Sequence, residues 1–362
     1  MSATTTTTTL NESARAGVVS MRWLISARED LVWFIGSVVT SYALFALYVW
    51  GWVPLVPMVA AWAILVDAPH VFATFSRTYF DREERRSRAK LLWWSLLFFA
   101  VGPLAVVAGV GFLFFFLAAL WAYYHLVKQH YGFMVLYKKK NADLDRADNF
   151  LDRAFLLLAF TYPFVWFVAH DEEALKRVPA GLHAWLGVLE SALLALTVVA
   201  AVAWVGRQVQ RLFSGLPLDV PKYLLLAAAI PMHWVVLLTP MPHKPIAIVA
   251  MLTVYHNFQY HRLVWFHNRK YARGDDRRER FGAAELISRR LLYYVLFGVL
   301  FGLWYQGPRQ YLNWSAAPDQ RDLQTQLFSS FLWGYAFIHY YLDSKIWRVR
   351  RDPSVGKALH ME

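Results

Sequence analysis

The sequence predicts an all-α protein, a polytopic transmembrane helical bundle. Three observations carry that prediction. The 362-residue chain is 58% hydrophobic and 17% aromatic with a mean hydropathy of +0.33, whereas a soluble chain of this size is nearer half apolar. The excess lies in runs close to the ~20 residues that cross a bilayer. Lysine and arginine gather in every second connection between those runs, the charge asymmetry that orients membrane proteins.

In chain order, residues 1–30 read as a polar, low-complexity cytosolic tail that lacks the apolar core of a signal peptide. About ten spans follow within a single domain, 31–347. They cover residues 31–52, 54–75, 91–109, 112–137, 150–170, 182–206, 222–240, 245–268, 289–306 and 325–347. Only the glycines of VAGVGF divide the third span from the fourth, and Pro163 and Pro231 mark kinks in the fifth and seventh. The basic connections, RTYFDREERRSRAK, YKKKNADLDR, VGRQVQRL and NRKYARGDDRRER, alternate with short or weakly basic ones. This places both termini, including the tail 348–362, in the cytosol of a bacterial-type plasma membrane. The lysines at 138–140 read as a solvated stop at the membrane surface.

Net charge is +12. Without a recognition motif this is a topology and lipid-contact signal, and nucleic acid is not an expected partner. The chain has no cysteine, which excludes disulfides, thiolate nucleophiles and thiolate-held clusters. Any metal is left to nitrogen and oxygen ligands.

Twelve histidines are present. His170, His183, His233, His243 and His360 read as peripheral. The other seven, His70, His125, His130, His256, His261, His267 and His339, fall at one depth in the cytosolic halves of the second, fourth, eighth and tenth spans. Ionisable groups inside a membrane face the bundle interior and mark function. Asp67 precedes His70 by three residues and Asp343 follows His339 by four, each about one helical turn away on the same face. Each can serve as a metal ligand or can orient the imidazole.

The stretches HLVKQH and HNFQYH share a His-x4-His spacing. Five residues turn an ideal helix by roughly 140°, so the rings reach two places unless a π-bulge brings them together. His267 stands on the face of His256 but about 16 Å further along the helix. Imidazoles with carboxylates suit iron, zinc, copper or manganese. Two iron ions would use this ligand count most fully, one ion remains open, and zinc or a bis-histidine haem would leave ligands without a task.

This pattern resembles the membrane-bound histidine-rich non-haem iron enzymes, the fatty-acid desaturases, hydroxylases and alkane monooxygenases. The resemblance rests on HLVKQH, on HNFQYH with His267, and on FIHYYLD; the His-x-x-His-His box usual in that group is missing. The scattered histidines, with a lone His70, also resemble the polytopic Brp/Blh-type carotene dioxygenases. Either resemblance implies oxygen activation at reduced iron and oxidation of an apolar, lipid-like substrate. O2 is then a co-substrate, and an acidic ferredoxin-like electron donor could dock on the basic loops. Gln129 and Gln259 are candidates to support the ligands, and Tyr124, Tyr131, Tyr255, Tyr260 and Tyr340 to line a channel. A haem-bearing electron carrier and a proton-coupled transporter are the competing classes. No inverted repeat of the transporter kind is visible in the sequence.

Overall fold

The computed structural model describes residues 19–272, 277–315 and 322–348, together with Val355, Gly356, Leu359 and Met361. The fold is nearly all helix. Ten long helices dominate the described residues: α1 (Ala27–Val49), α2 (Leu55–Arg77), α3 (Ala89–Val107), α4 (Gly111–Lys140), α5 (Arg146–His170), α6 (His183–Phe213), α7 (Val220–Leu238), α8 (Lys244–His267), α9 (Leu291–Ser315) and α10 (Leu323–Ile346). Eight of them, all but α8 and α10, are long and apolar enough to cross a membrane.

The two exceptions are too polar to qualify. α8 carries His256, Asn257, Gln259, His261, Arg262 and His267, and α10 carries Ser329, Ser330, His339 and Asp343. α8 is buried over most of its surface, with Val249 exposed and its polar side chains buried or half-buried. Its polar groups therefore meet other helices and not lipid, the arrangement in which a bilayer tolerates them. α6 is the opposite case. Leu194, Leu196, Val198, Val199, Val202 and Val205 are all exposed, the outward apolar face expected next to acyl chains.

Two helices contain π-helical turns, Asp30–Ile35 in α1 and Ala63–Asp67 in α2. The second stands directly before Pro69. A proline cannot donate to the preceding turn and collides with its carbonyl, and a wider turn relieves both problems. α9 lies close against this part of α2. A Cβ added at Gly302 would come within 2.2 Å of the Ile64 carbonyl oxygen, and one at Gly298 within 2.8 Å of Pro69. The G-x-x-x-G spacing on α9 thus works as a small-residue contact that lets two backbones approach.

Residues 19–26 are fixed to the bundle, whereas the sequence reading placed them in the tail; 1–18 lie outside the described residues. Val19–Ser20 pairs in parallel with Leu218–Asp219. Ser20 Oγ donates to Asn141 at 2.6 Å, and Asp30 accepts from the Leu24 amide at 2.6 Å.

The lysine run at 138–140 is not a solvated stop. Lys138 is 1% exposed and pairs with Asp152, and Lys140 Nζ donates to the Leu359 carbonyl. Lys138 belongs to a buried ionic cluster that ties the ends of α4, α5, α6 and α7 together. Lys222 Nζ donates to Asp143 at 2.6 Å and Asp152 at 3.0 Å, and Arg211 bridges Asp143 and Asp148. Aspartates 143, 148 and 152 are near enough in sequence to fold back and bury this charge with counter-charges.

Asp143 lies in the α4–α5 connection. Burial alone would raise its carboxyl above the ordinary 3.8, but Lys222, Lys138 and Arg211 outweigh burial and hold it below that value. A depressed folded-state pKa stabilises the fold above the unfolded pKa and loses that contribution as pH falls through the folded one. Asp143→Asn should therefore destabilise the solubilised protein by about 3–5 kcal/mol near pH 7. In denaturant titrations the gap to the parent chain should narrow as pH drops below 3.8; a constant gap would contradict this assignment.

Candidate metal centre

Four helices each send one imidazole to a common point: His70 from α2, His125 from α4, His256 from α8 and His339 from α10. One ring nitrogen from each lies within 4.8 Å of all the others, and all four residues are buried. His70 Nε2 and His256 Nε2 are 3.2 Å apart. Ligand nitrogens ~2.0–2.1 Å from one ion are separated by about 3–3.4 Å, so this pair already has the spacing of two ligands. The rings pack edge to face, with centroids 4.4 Å apart for His70 and His339 and 4.7 Å for His125 and His339.

The hydrogen bonds around the group fix one tautomer. Asp343 Oδ1 accepts from the Thr74 hydroxyl at 2.8 Å and from the Tyr260 hydroxyl at 2.6 Å. With its proton given to the carboxylate, Thr74 Oγ1 accepts the Nδ1–H of His339 at 2.7 Å. His339 Nε2 is left as a bare lone pair with no protein partner. His125 Nε2 is also buried without a hydrogen-bond partner, and the Nε2 atoms of His70 and His256 meet only each other. An unmet buried polar atom costs about 1–3 kcal/mol, and a transition metal satisfies such nitrogens together. The donor set fits an ion.

Porphyrin fits less well. A macrocycle clamped between two of these rings would have to fill the space that the other two occupy.

The group is narrower than the sequence reading. The helical step explains why. α4 and α8 are regular helices throughout, so the second histidine of each His-x4-His pair rotates away from the first. His130 turns toward α7, where its ring lies 5.6 Å from that of His233. His261 stays beside the group, its ring 6.1 Å from that of His70, but both its nitrogens are taken: Nδ1 is 3.0 Å from the Tyr294 hydroxyl on α9 and Nε2 3.3 Å from the Val66 carbonyl. His267 sits at the end of α8 beside Trp347, their rings 5.7 Å apart. Asp67 closes the π turn, which breaks the regular angular step to His70, and accepts from Gln306 at 3.2 Å. Asp343 keeps its spacing to His339, 3.6 Å away, as an orienting group and not as part of the four-nitrogen cluster.

Among the other candidate residues, Gln129 Nε2 donates to the His256 carbonyl at 2.8 Å, and Gln259 Nε2 donates to the Phe34 carbonyl at 2.8 Å. Both hold the α8 backbone against its neighbours and leave the rings alone. Tyr340 stacks on His125 with centroids 4.4 Å apart, and Tyr260 lies edge-on to His70 at 4.6 Å. Tyr255 donates to the Phe34 carbonyl at 2.6 Å, Tyr131 lies under the Lys128 ammonium, and Tyr124 faces outward.

Thr74 escaped the sequence reading and His233 reads there as peripheral, though both carry a signal. Thr74 stands four residues after His70 on the same face. His233 is the one ionisable residue in the interior of an otherwise apolar span, the usual mark of an inward-facing group.

No protein-family model matches the chain, and no curated protein or solved structure does. The site is read from its own geometry.

Thr74→Val removes the acceptor that fixes His339. Bound metal in the purified protein should become about 10–100-fold weaker, the usual cost of losing such a partner, as measured by chelator competition. Unchanged affinity would show that His339 is oriented by packing alone.

Proposed function

We propose that the chain is an integral-membrane non-haem iron oxidoreductase that uses O2 on an apolar, lipid-like substrate. In this reading a single iron is held by His70, His125, His256 and His339. The observation that carries it is the convergence of four buried imidazole nitrogens from four separate helices. Imidazole suits iron, zinc, copper and nickel. Four nitrogens would close a tetrahedral zinc site, whereas iron, with its higher coordination number, keeps positions open. The four donors supply one ion, and neither Asp67 nor Asp343 joins them to bridge a second, so the reading favours one iron over two. When bound, iron supplies the oxygen activation, and the protein supplies position and exclusion of water.

The residues divide that work. The carboxylate of Asp343, through Thr74, holds His339 with its Nε2 toward the centre. Tyr260 is tied to the same carboxylate and covers His70. His125 is the most exposed of the four at 8%, and Tyr340 stacks on it next to the outward-facing Tyr124. The side where α4 meets α10 is therefore the one from which an apolar molecule dissolved in the bilayer would reach the site. In the same reading all ten long helices span a bacterial-type plasma membrane, both termini face the cytosol, and the basic loops form the face on which an acidic electron carrier would dock.

The test is metal content in detergent-purified protein from iron-supplemented cells. About one iron per chain is expected without a Soret band. Alanine at His70, His125, His256 or His339 should remove most of it, and alanine at His261 should not. A haem spectrum, an iron-free parent chain, or equal losses at His261 and the four would each overturn the proposal.

A further inference from the structure

Behind the four-histidine group lies a second pair of imidazoles that the proposed reaction does not use. His130 on α4 and His233 on α7 are both 0% exposed. His130 donates its Nδ1–H to the Leu126 carbonyl at 3.0 Å, and His233 donates its own to the Ala229 carbonyl at 2.9 Å. Each ring is thus tethered to its own helix by one nitrogen. The other, Nε2, is a lone-pair acceptor directed away from that helix, and both Nε2 atoms are buried without a partner. The rings stand perpendicular, at 88°, with centroids 5.6 Å apart. Metal-binding histidines are usually tethered this way, through the ring nitrogen that does not bind the metal.

The walls limit what could occupy the gap. Phe160 lies 4.1 Å from the His233 ring and 5.4 Å from His130, and Tyr255 lies 5.4 Å from His130. The hydroxyls of Tyr255 and of nearby Tyr123 are spent on the Phe34 and Phe160 carbonyls. Among the described residues, no carboxylate bonds to either ring. A divalent cation would keep a double charge in this apolar shell with only two donors. A water could offer two hydrogens to the two nitrogens, but its oxygen would face aromatic carbon. Buried Met134 stands one turn beyond His130 on the same helix face. Thioether sulfur is a donor that selects monovalent copper. Two imidazoles opposed across an ion at ~2 Å have centroids about 6 Å apart, close to the separation here.

We infer that His130 and His233 form a second, low-coordinate metal site that takes a monovalent copper ion, independent of the four-histidine centre. The test is anaerobic titration of the full-length purified chain with copper(I) against a chromogenic copper(I) chelator. Three chains are compared: the parent, His130→Gln with His233→Gln, and His125→Ala with His339→Ala. The glutamine pair should lose one tightly held equivalent, and the alanine pair should keep it. If the glutamine pair fails to fold, X-ray absorption on the copper-loaded alanine pair still decides. Two nitrogens, with or without one sulfur, are expected. Three or four nitrogens, equal uptake in the parent and the glutamine pair, or a water between the rings in a structure of copper-exposed protein would overturn the inference. Native iron lost from the alanine pair while copper is retained separates this site from the centre proposed above.

Discussion

The constraint on which the rest of this molecule depends is the cost of four imidazoles whose nitrogens converge inside an apolar bundle, with a buried nitrogen on every ring left unmet. At about 1–3 kcal/mol for each unmet polar atom, the group consumes a large share of the 5–15 kcal/mol by which a folded domain is stable. A fold keeps such a group only when something else compensates. Several features away from the rings follow from the same constraint. α8 is buried over most of its surface, so that its polar residues pack against other helices. Gly298 and Gly302 let α9 close against α2 where its π turn presents His70. Asp343 lends its charge through Thr74 to keep the His339 lone pair aimed inward.

The ends of α4, α5, α6 and α7 handle charge in another way. Lys138, Arg211 and Lys222 meet Asp143, Asp148 and Asp152 in a dry cluster. Each charge there has a counter-charge, so the cluster is complete as it stands and calls for no ligand. Removing one partner would strand the others, which makes it a fastening between α4, α5, α6 and α7. The imidazole group has no such internal complement.

Most of the architecture was legible in the sequence. Apolar runs and alternating loop charge locate the long helices to within a few residues, except that α6 and α9 run on past the C-terminal ends of their apolar runs, because span length and loop charge are local properties. The depth argument found all four clustered histidines, since residues at one level on different helices can meet. It could not separate them from His130 and His261, a distinction that depends on helix rotation, whereas the height of His267 on α8 already set it apart. The 140° step between paired histidines held because α4 and α8 stay regular, while the π turn appeared in α2, where Pro69 was its only sequence sign. Lys138 was misread because a basic run beside a span ordinarily meets water, and nothing local shows three aspartates returning to it.

The central claim is that one ion draws these four nitrogens together. X-ray absorption at the iron edge of the purified native protein tests it most directly. The account predicts a single iron environment with about four imidazole nitrogens at ~2.0–2.2 Å and no metal neighbour. A metal–metal scattering path at the ~3.5–4 Å of a two-metal site, or a first shell with two or fewer imidazoles, would contradict it.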